Sequence, residues 1–286
     1  MMTISSRTVV STILAARWTF ARAFSLALLA LAAVLLSGCS KTDEDTRVEY
    51  TQADGSKTAD VNRIEDGTAA YQVIGGRTIP PDAEKLHRQA RAKGESGDYA
   101  SALDLLSQAT KIAPDWAYPY YDMAFTYLLQ GDSTNALSNY RVVDRLEPAG
   151  FFTTKTALWT LDREDQGVFP KGTYLAFVSL EWAEPEKRRV AIDRMTTNLP
   201  AFAPAWKEKA LLIEGTDERQ AVFEKALSLD PDAETYGICL LNKAALLNSS
   251  GRTVEAKRIV DELISSKAST AGTKALAKGM MKRFTK

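Results

Sequence analysis

The sequence predicts an all-α chain of stacked helical hairpins preceded by a disordered linker, and three observations carry that prediction. Residue types repeat at a spacing of 34 between Pro114 and Pro148. Leu276, Ala277, Met280, Met281 and Phe284 recur at helical spacing near the end of the chain. Between Ser40 and about Arg77 the sequence is polar, acidic and rich in turn residues, with no sustained apolar period. The whole chain has 286 residues, 45% of them hydrophobic, with 36 Lys+Arg against 36 Asp+Glu. This is globular composition. Proteins that live by neutralising phosphates concentrate Lys and Arg, so zero net charge argues against nucleic acid as a partner. One His and two Cys 200 positions apart cannot supply the ligands of a zinc site or a disulfide framework. No metal and no cofactor is expected.

At the N-terminus, Arg7, Arg17 and Arg22 precede an apolar or small run from Ala23 to Leu36, followed by Ser37, Gly38 and Cys39. A basic region, a short apolar region and small residues make the layout of a secretory signal over residues 1–38. Fourteen helical residues rise about 21 Å, short of the roughly 30 Å hydrocarbon core, which disfavours a simple membrane span. Leu36-Ser37-Gly38-Cys39 resembles the bacterial lipobox, and that resemblance implies that Cys39 is lipidated and becomes the first mature residue. Ser40 in the next position resembles the Gram-negative pattern for the outer membrane, facing the periplasm. The expectation is a lipid-anchored protein of the bacterial cell envelope, with membrane contact through Cys39 and a flexible linker over 39–79. A short strand at Ala70 to Ile74 is the one element expected within it.

The folded region is expected over 80–286, with Pro80-Pro81 marking its start. Counting back from Pro114 and Pro148 pairs Ala109 with Val143, Ala102 with Ala136, Gly97 with Gly131, and Ala90 with Ala124. Small residues on facing sides of two antiparallel helices let the backbones approach closely, and each glycine ends a first helix. A 34-residue period with these residues is the signature of tetratricopeptide (TPR) repeats. The second copy, with Tyr120, Met123-Ala124, Tyr127, Ala136, Tyr140 and Pro148, closely resembles that family. The resemblance implies a right-handed superhelix that binds a protein or peptide along its concave face.

Later copies are degenerate. Before Pro200, Ala176, Ile192 and Met195 fit, but Arg188 replaces a small residue. Before Pro231, Phe223 and Ala226 fit, and Trp206 and Ala210 fit only with an inter-helix turn three residues shorter. Leu240, Ala244, Leu247, Gly251, Ala256, Val260 and Leu263 keep the offsets. An insert near 151–168 predicts an additional short helix from Phe151 to Leu161. Five hairpins result, one interrupted, with a terminal helix from Thr273 to Phe284 whose apolar face caps the last hairpin.

No GxGxxG, P-loop, HExxH or GxSxG motif occurs. His87 reads as a partly exposed surface residue, and Cys239 as a small buried hydrophobe. Asp162, Glu164 and Asp165 are placed in a solvated loop after the extra helix. No catalytic residue is expected. For partner binding the candidates are Tyr118, Tyr121, Phe125 and Leu128, with Leu129 continuing the face, together with His87 and Arg91. Large amphipathic rings suit the gripping of a peptide or helix, while packing on the neighbouring hairpin is the competing role. Some TPR proteins clamp carboxyl-terminal peptides with Lys, Asn and Arg. Here the equivalent places carry His87, Arg91 and Asp122, which argues against that mode. The expected function is therefore a lipid-anchored scaffold without chemistry. The alternatives are an enzyme or enzyme accessory with a site at 151–170, and a structural link to the cell wall through the basic end of the chain.

Overall fold

The computed structural model describes residues 79–284 and, ahead of them, three strands: β1 (Thr46–Thr51), β2 (Lys57–Thr58) and β3 (Ala70–Gly75). The signal and Cys39 lie outside the described residues. The strands form an antiparallel sheet of order β2-β1-β3, with Thr46 opposite Gly75 and Thr51 opposite Ala70. β3 falls where the short strand at Ala70 to Ile74 was expected, and β1 and β2 are additional to it. Val48 and Tyr50 in β1, and Tyr71, Val73 and Ile74 in β3, are residue types that fit a pleated surface. Each run is too short to stand alone, and what completes it is pairing with a distant segment.

The helices are α1 (Pro81–Glu95), α2 (Tyr99–Ile112), α3 (Ala117–Leu129), α4 (Ser133–Leu146), α5 (Thr154–Asp165), α6 (Thr173–Val178), α7 (Pro185–Asn198), α8 (Ala203–Leu211), α9 (Thr216–Leu227), α10 (Ala233–Ser249), α11 (Thr253–Ser265) and α12 (Ala271–Phe284). A 3-10 turn (Ser179–Trp182) follows α6. The hairpins α1/α2 and α3/α4 follow the repeat register, with Ala90, Ala102, Ala124 and Ala136 all buried. Gly97 and Gly131 turn each hairpin at φ 82° and 79°, a left-handed conformation that costs glycine nothing. Asp98 and Asp132 then cap the second helices, accepting from Ser101 N at 3.2 Å and Asn135 N at 3.0 Å.

The degenerate copies have physical causes. Arg188, in the place of a small residue, reaches Glu208 on α8 (Nη2 to Oε2 2.5 Å), so a charge pair fills a crossing that small residues close elsewhere. The turn between α8 and α9, over 212–215, is not shortened as expected; helix α8 is the short element, at 9 residues, and Ala210, Phe223 and Ala226 are buried in this register. The terminal helix starts at Ala271 rather than Thr273, because Thr270 Oγ1 accepts from Thr273 N at 3.2 Å and extends it by a cap. The extra helix begins at Thr154 and runs on to Asp165. It therefore carries Asp162, Glu164 and Asp165 in its last turn, not in a loop.

The repeats also curl back on themselves. Helix α5 lies against α10, and Ala271 N donates to Ala149 O at 2.7 Å. Gly150, at φ 105°, leaves room for Thr270, whose Cβ would lie 3.1 Å from a Cβ added there. The insert thus joins the middle of the chain to its last helices. Cys239 of α10 packs with Ala210, Phe223 and Ala226 of α8 and α9, fully buried, with burial pushing its thiol up to about 12. No helix of the described residues is long and apolar enough to cross a membrane.

Candidate partner-binding surface

Positions 118, 121 and 125 fall on one face of α3, and the insert brings further rings onto them. Tyr118 meets Phe151 and Phe152 edge-on at centroid distances of 5.8 and 5.1 Å, and Tyr121 meets the same two at 5.8 and 4.9 Å. Phe125 lies 5.4 Å from Trp182 of the 3-10 turn. Edge-to-face contacts of this kind favour a fixed ring arrangement. Phe152 is held at φ 47°, a left-handed conformation uncommon for a bulky residue and stored at a cost. The sequence reasoning missed Phe151, Phe152 and Trp182, and the Phe151-Phe152 pair at the start of the insert was the available signal.

Each candidate residue has a definite place. Tyr118 and Phe125 are half-buried. Tyr121 shares its hydroxyl with Thr153 Oγ1 at 2.9 Å, which in turn lies 2.9 Å from the Tyr174 hydroxyl. Burial drives both phenols well above their ordinary range. Leu128 and Leu129 are buried, Leu128 within the main core, so neither presents a surface to a partner here. His87 corrects the expectation of exposure. It is buried between Trp116 and Tyr118 at ring distances of 4.8 and 4.7 Å, and its Nε2 lies 2.8 Å from Asp122 Oδ2. Arg91 is exposed and donates to the Tyr118 hydroxyl at 3.3 Å. Of the three places that hold a peptide clamp in some TPR proteins, two are therefore spent on each other and the third on Tyr118.

The insert carboxylates diverge. Asp162 pairs with Arg141 at 2.9 Å and Asp165 with Lys171 at 3.1 Å. Glu164 accepts from Gly172 N and Tyr174 N, both at 2.7 Å. Its burial nevertheless raises its carboxyl above the usual range. A second buried carboxylate, on α10, was not legible in the sequence. Glu234 accepts from Lys155 N and Thr156 N of α5, each at 3.2 Å, beside Asp232, which caps α10. No group of three or more His, Cys, Asp or Glu suited to a metal ion occurs among the described residues.

No family model and no curated protein matches the chain. Solved structures do. The MamA structure from residue 41 onward of Desulfovibrio magneticus RS-1 is 15% identical, with 65% of this chain and 98% of that one covered and a TM-score of 0.32. A thermophilic TPR protein of Thermus thermophilus is 20% identical over 70% and 99%, at 0.29. The complex of the yeast Sti1 TPR2AB domain with pHSP90 is 16% identical over 72% and 86%, at 0.30. Residues 79–284 have an all-α, TPR-like repeat fold. The 34-residue register carries that statement, since every small residue it places at a helix crossing in the first two hairpins is buried.

Proposed function

We propose that the chain is an interaction scaffold. A protein or peptide partner sits on the aromatic face formed by Tyr118, Phe125, Phe152 and Trp182, with Arg91 at its rim, and the scaffold is held at a bacterial membrane by lipidated Cys39. The observation that supports this most is Phe152. A bulky ring in a left-handed backbone conformation is stored strain, and such strain collects at binding and switch sites. Trp182, 38% exposed, offers a large ring of the kind that dominates binding energy when a partner covers it. The scaffold performs no chemistry in this reading, because Asp162, Glu164 and Asp165 each serve a separate structural partner rather than a common substrate.

The test combines Arg91→Ala with Trp182→Ala and measures capture of envelope proteins by the immobilised chain beside its melting temperature. Loss of capture at an unchanged melting temperature supports the surface. Unchanged capture contradicts it, and a parallel loss of both assigns these side chains to packing alone.

A further inference from the structure

We propose that the first turn of α5 is a proton-operated clasp: with Glu234 protonated, that turn is held on α10 and Phe152 in the aromatic face, and loss of the proton releases both. The inference rests on the scaffold reading only for the use of that face. Residues 151–156 join the two places directly. Phe151 is the fixed end, buried with Ala117 and Val143, and its carbonyl accepts from Thr154 N at 3.1 Å and Thr154 Oγ1 at 2.6 Å. Phe152, half-buried, lies 5.1 Å from Tyr118 and 4.9 Å from Tyr121. Thr153 Oγ1 stands 2.9 Å from each of the Tyr121 and Tyr174 hydroxyls. Lys155 N and Thr156 N then end on the Glu234 carboxyl, each at 3.2 Å. Little more than one helical turn separates the strained ring from the carboxyl. Release at Thr156 therefore lets Phe152 leave φ 47°, a conformation that the closed turn imposes. Gly150 at φ 105° and Gly167 at φ 74° flank the segment with backbone that rotates at little cost.

The clasp sets one hydroxyl between two carboxyl groups, since Thr156 Oγ1 lies 2.9 Å from both Asp232 Oδ1 and Glu234 Oε2. One hydrogen cannot serve both, so the closed geometry needs a proton on a carboxyl. Charged groups approach from every neighbouring helix. On α5, the Lys155 ammonium pairs with Asp144 of α4 at 2.6 Å. Lys207 of α8 acts on Asp232 while paired with Glu208 at 2.5 Å. The Tyr121 and Tyr174 phenols lie in the field of Glu234. Asp230, between α9 and α10, pairs with Arg163 at 3.4 Å, and Glu262 of α11 faces Tyr236. Helix α12 meets α10 at Gly237 through the uncharged Thr273. With its proton Glu234 adds no charge to this cluster. Without it, two carboxylates face one hydroxyl and repel each other. The folded chain holds that proton up to about 8, so the clasp is closed at neutral pH and weakens as pH rises through about 8.

The experiment uses the full chain as purified from cells that make it and no partner, so its outcome is independent of whether the face binds one. Amide hydrogen exchange is followed by mass spectrometry from about pH 6.5 to about pH 9.5 and corrected for the intrinsic rate at each pH. A second sample carries 4-fluorophenylalanine at position 152 and is read by fluorine NMR. Amides of residues 152–160 should lose about tenfold in protection over that range. The fluorine resonance should move toward its free value with the same midpoint, while amides of α1 and α2 keep their protection. Glu234→Gln, which does not ionise, should flatten both profiles. If that variant does not fold, the midpoint in the parent chain decides: one near 8 supports the clasp, and any other, such as the value near 10 of an ordinary phenol, overturns it. An unchanged profile, an equal loss of protection in all helices, a fluorine resonance that stays fixed while the amides open, or the same response in Glu234→Gln also overturns it.

Discussion

Thr156 Oγ1 stands 2.9 Å from Glu234 Oε2 and also 2.9 Å from Asp232 Oδ1. A hydroxyl donates only once, so one of these contacts requires a proton on a carboxyl. Burial, then the neighbouring Asp232, raises the Glu234 carboxyl from 4.5 to about 8. Glu234 is the acid that carries it. The protonated side chain donates to Thr156, whose hydroxyl passes the bond on to Asp232, and α5 is latched to α10 across 78 residues of sequence.

The sign of the pH dependence follows. Between the ordinary value and about 8 the folded chain holds a proton that the unfolded chain has lost, so stability falls as pH rises through that window and levels above it. Glu234→Gln keeps a donor without ionising. Melting temperatures of the two proteins should converge toward pH 4.5 and separate by pH 9 in favour of the variant, by on the order of 1–3 kcal/mol. Parallel curves across the range would remove Glu234 from this role.

A second contact depends on the absence of a side chain. At Gly237 of α10, a Cβ would collide with Thr273 of α12, whose methyl carbon would lie only 2.8 Å away. Gly237→Ala should cost about 1–3 kcal/mol by overpacking. Adding Thr273→Ala should return part of that loss in a double-mutant cycle by chemical denaturation. Additive losses would mean that the two helices do not cross here.

The repeat register was legible because each hairpin repeats a local requirement. Ala90, Ala102, Ala124 and Ala136 sit where helices cross, and Gly97 and Gly131 where the chain must turn left-handed. The closure of α5 on α10 was not legible. A period of 34 specifies how neighbours stack, whereas the meeting of Thr156 with Glu234 depends on the summed curvature of the intervening repeats and on the insert. In the sheet β3 was readable as a short strand, whereas its partner β1 was not, since the polar run around it shows a strand only once it pairs with β3 and β2. At the candidate surface, Tyr118 and Phe125 were readable from helical spacing. The burial of His87 was not, because its cover comes from Trp116 and Tyr118 on the next hairpin.

Phe152 offers a direct test of stored strain. Phe152→Ala and Phe152→Gly remove the same ring, but only glycine accepts φ 47° freely. The glycine variant should be the more stable by about 1 kcal/mol in thermal melts, reversing the usual order of the two residues. If alanine is equal or better, the backbone at 152 is not strained.

Attachment through Cys39 is checked at the chain terminus. Mass spectrometry of the mature protein should find an acylated N-terminal residue 39, and Cys39→Ser should abolish the modification. An unmodified terminus at another position would reject the anchor.

The central claim, that a partner lies on the aromatic face beside α3, is tested most directly by a photo-crosslinking amino acid placed at Trp182 and, in a separate chain, at Val254, which is 76% exposed at the start of α11. Irradiation of intact cells should give an adduct of discrete mass from position 182 and none from 254. Adducts of equal yield from both positions, or none from 182 in a chain that melts normally, would contradict the account.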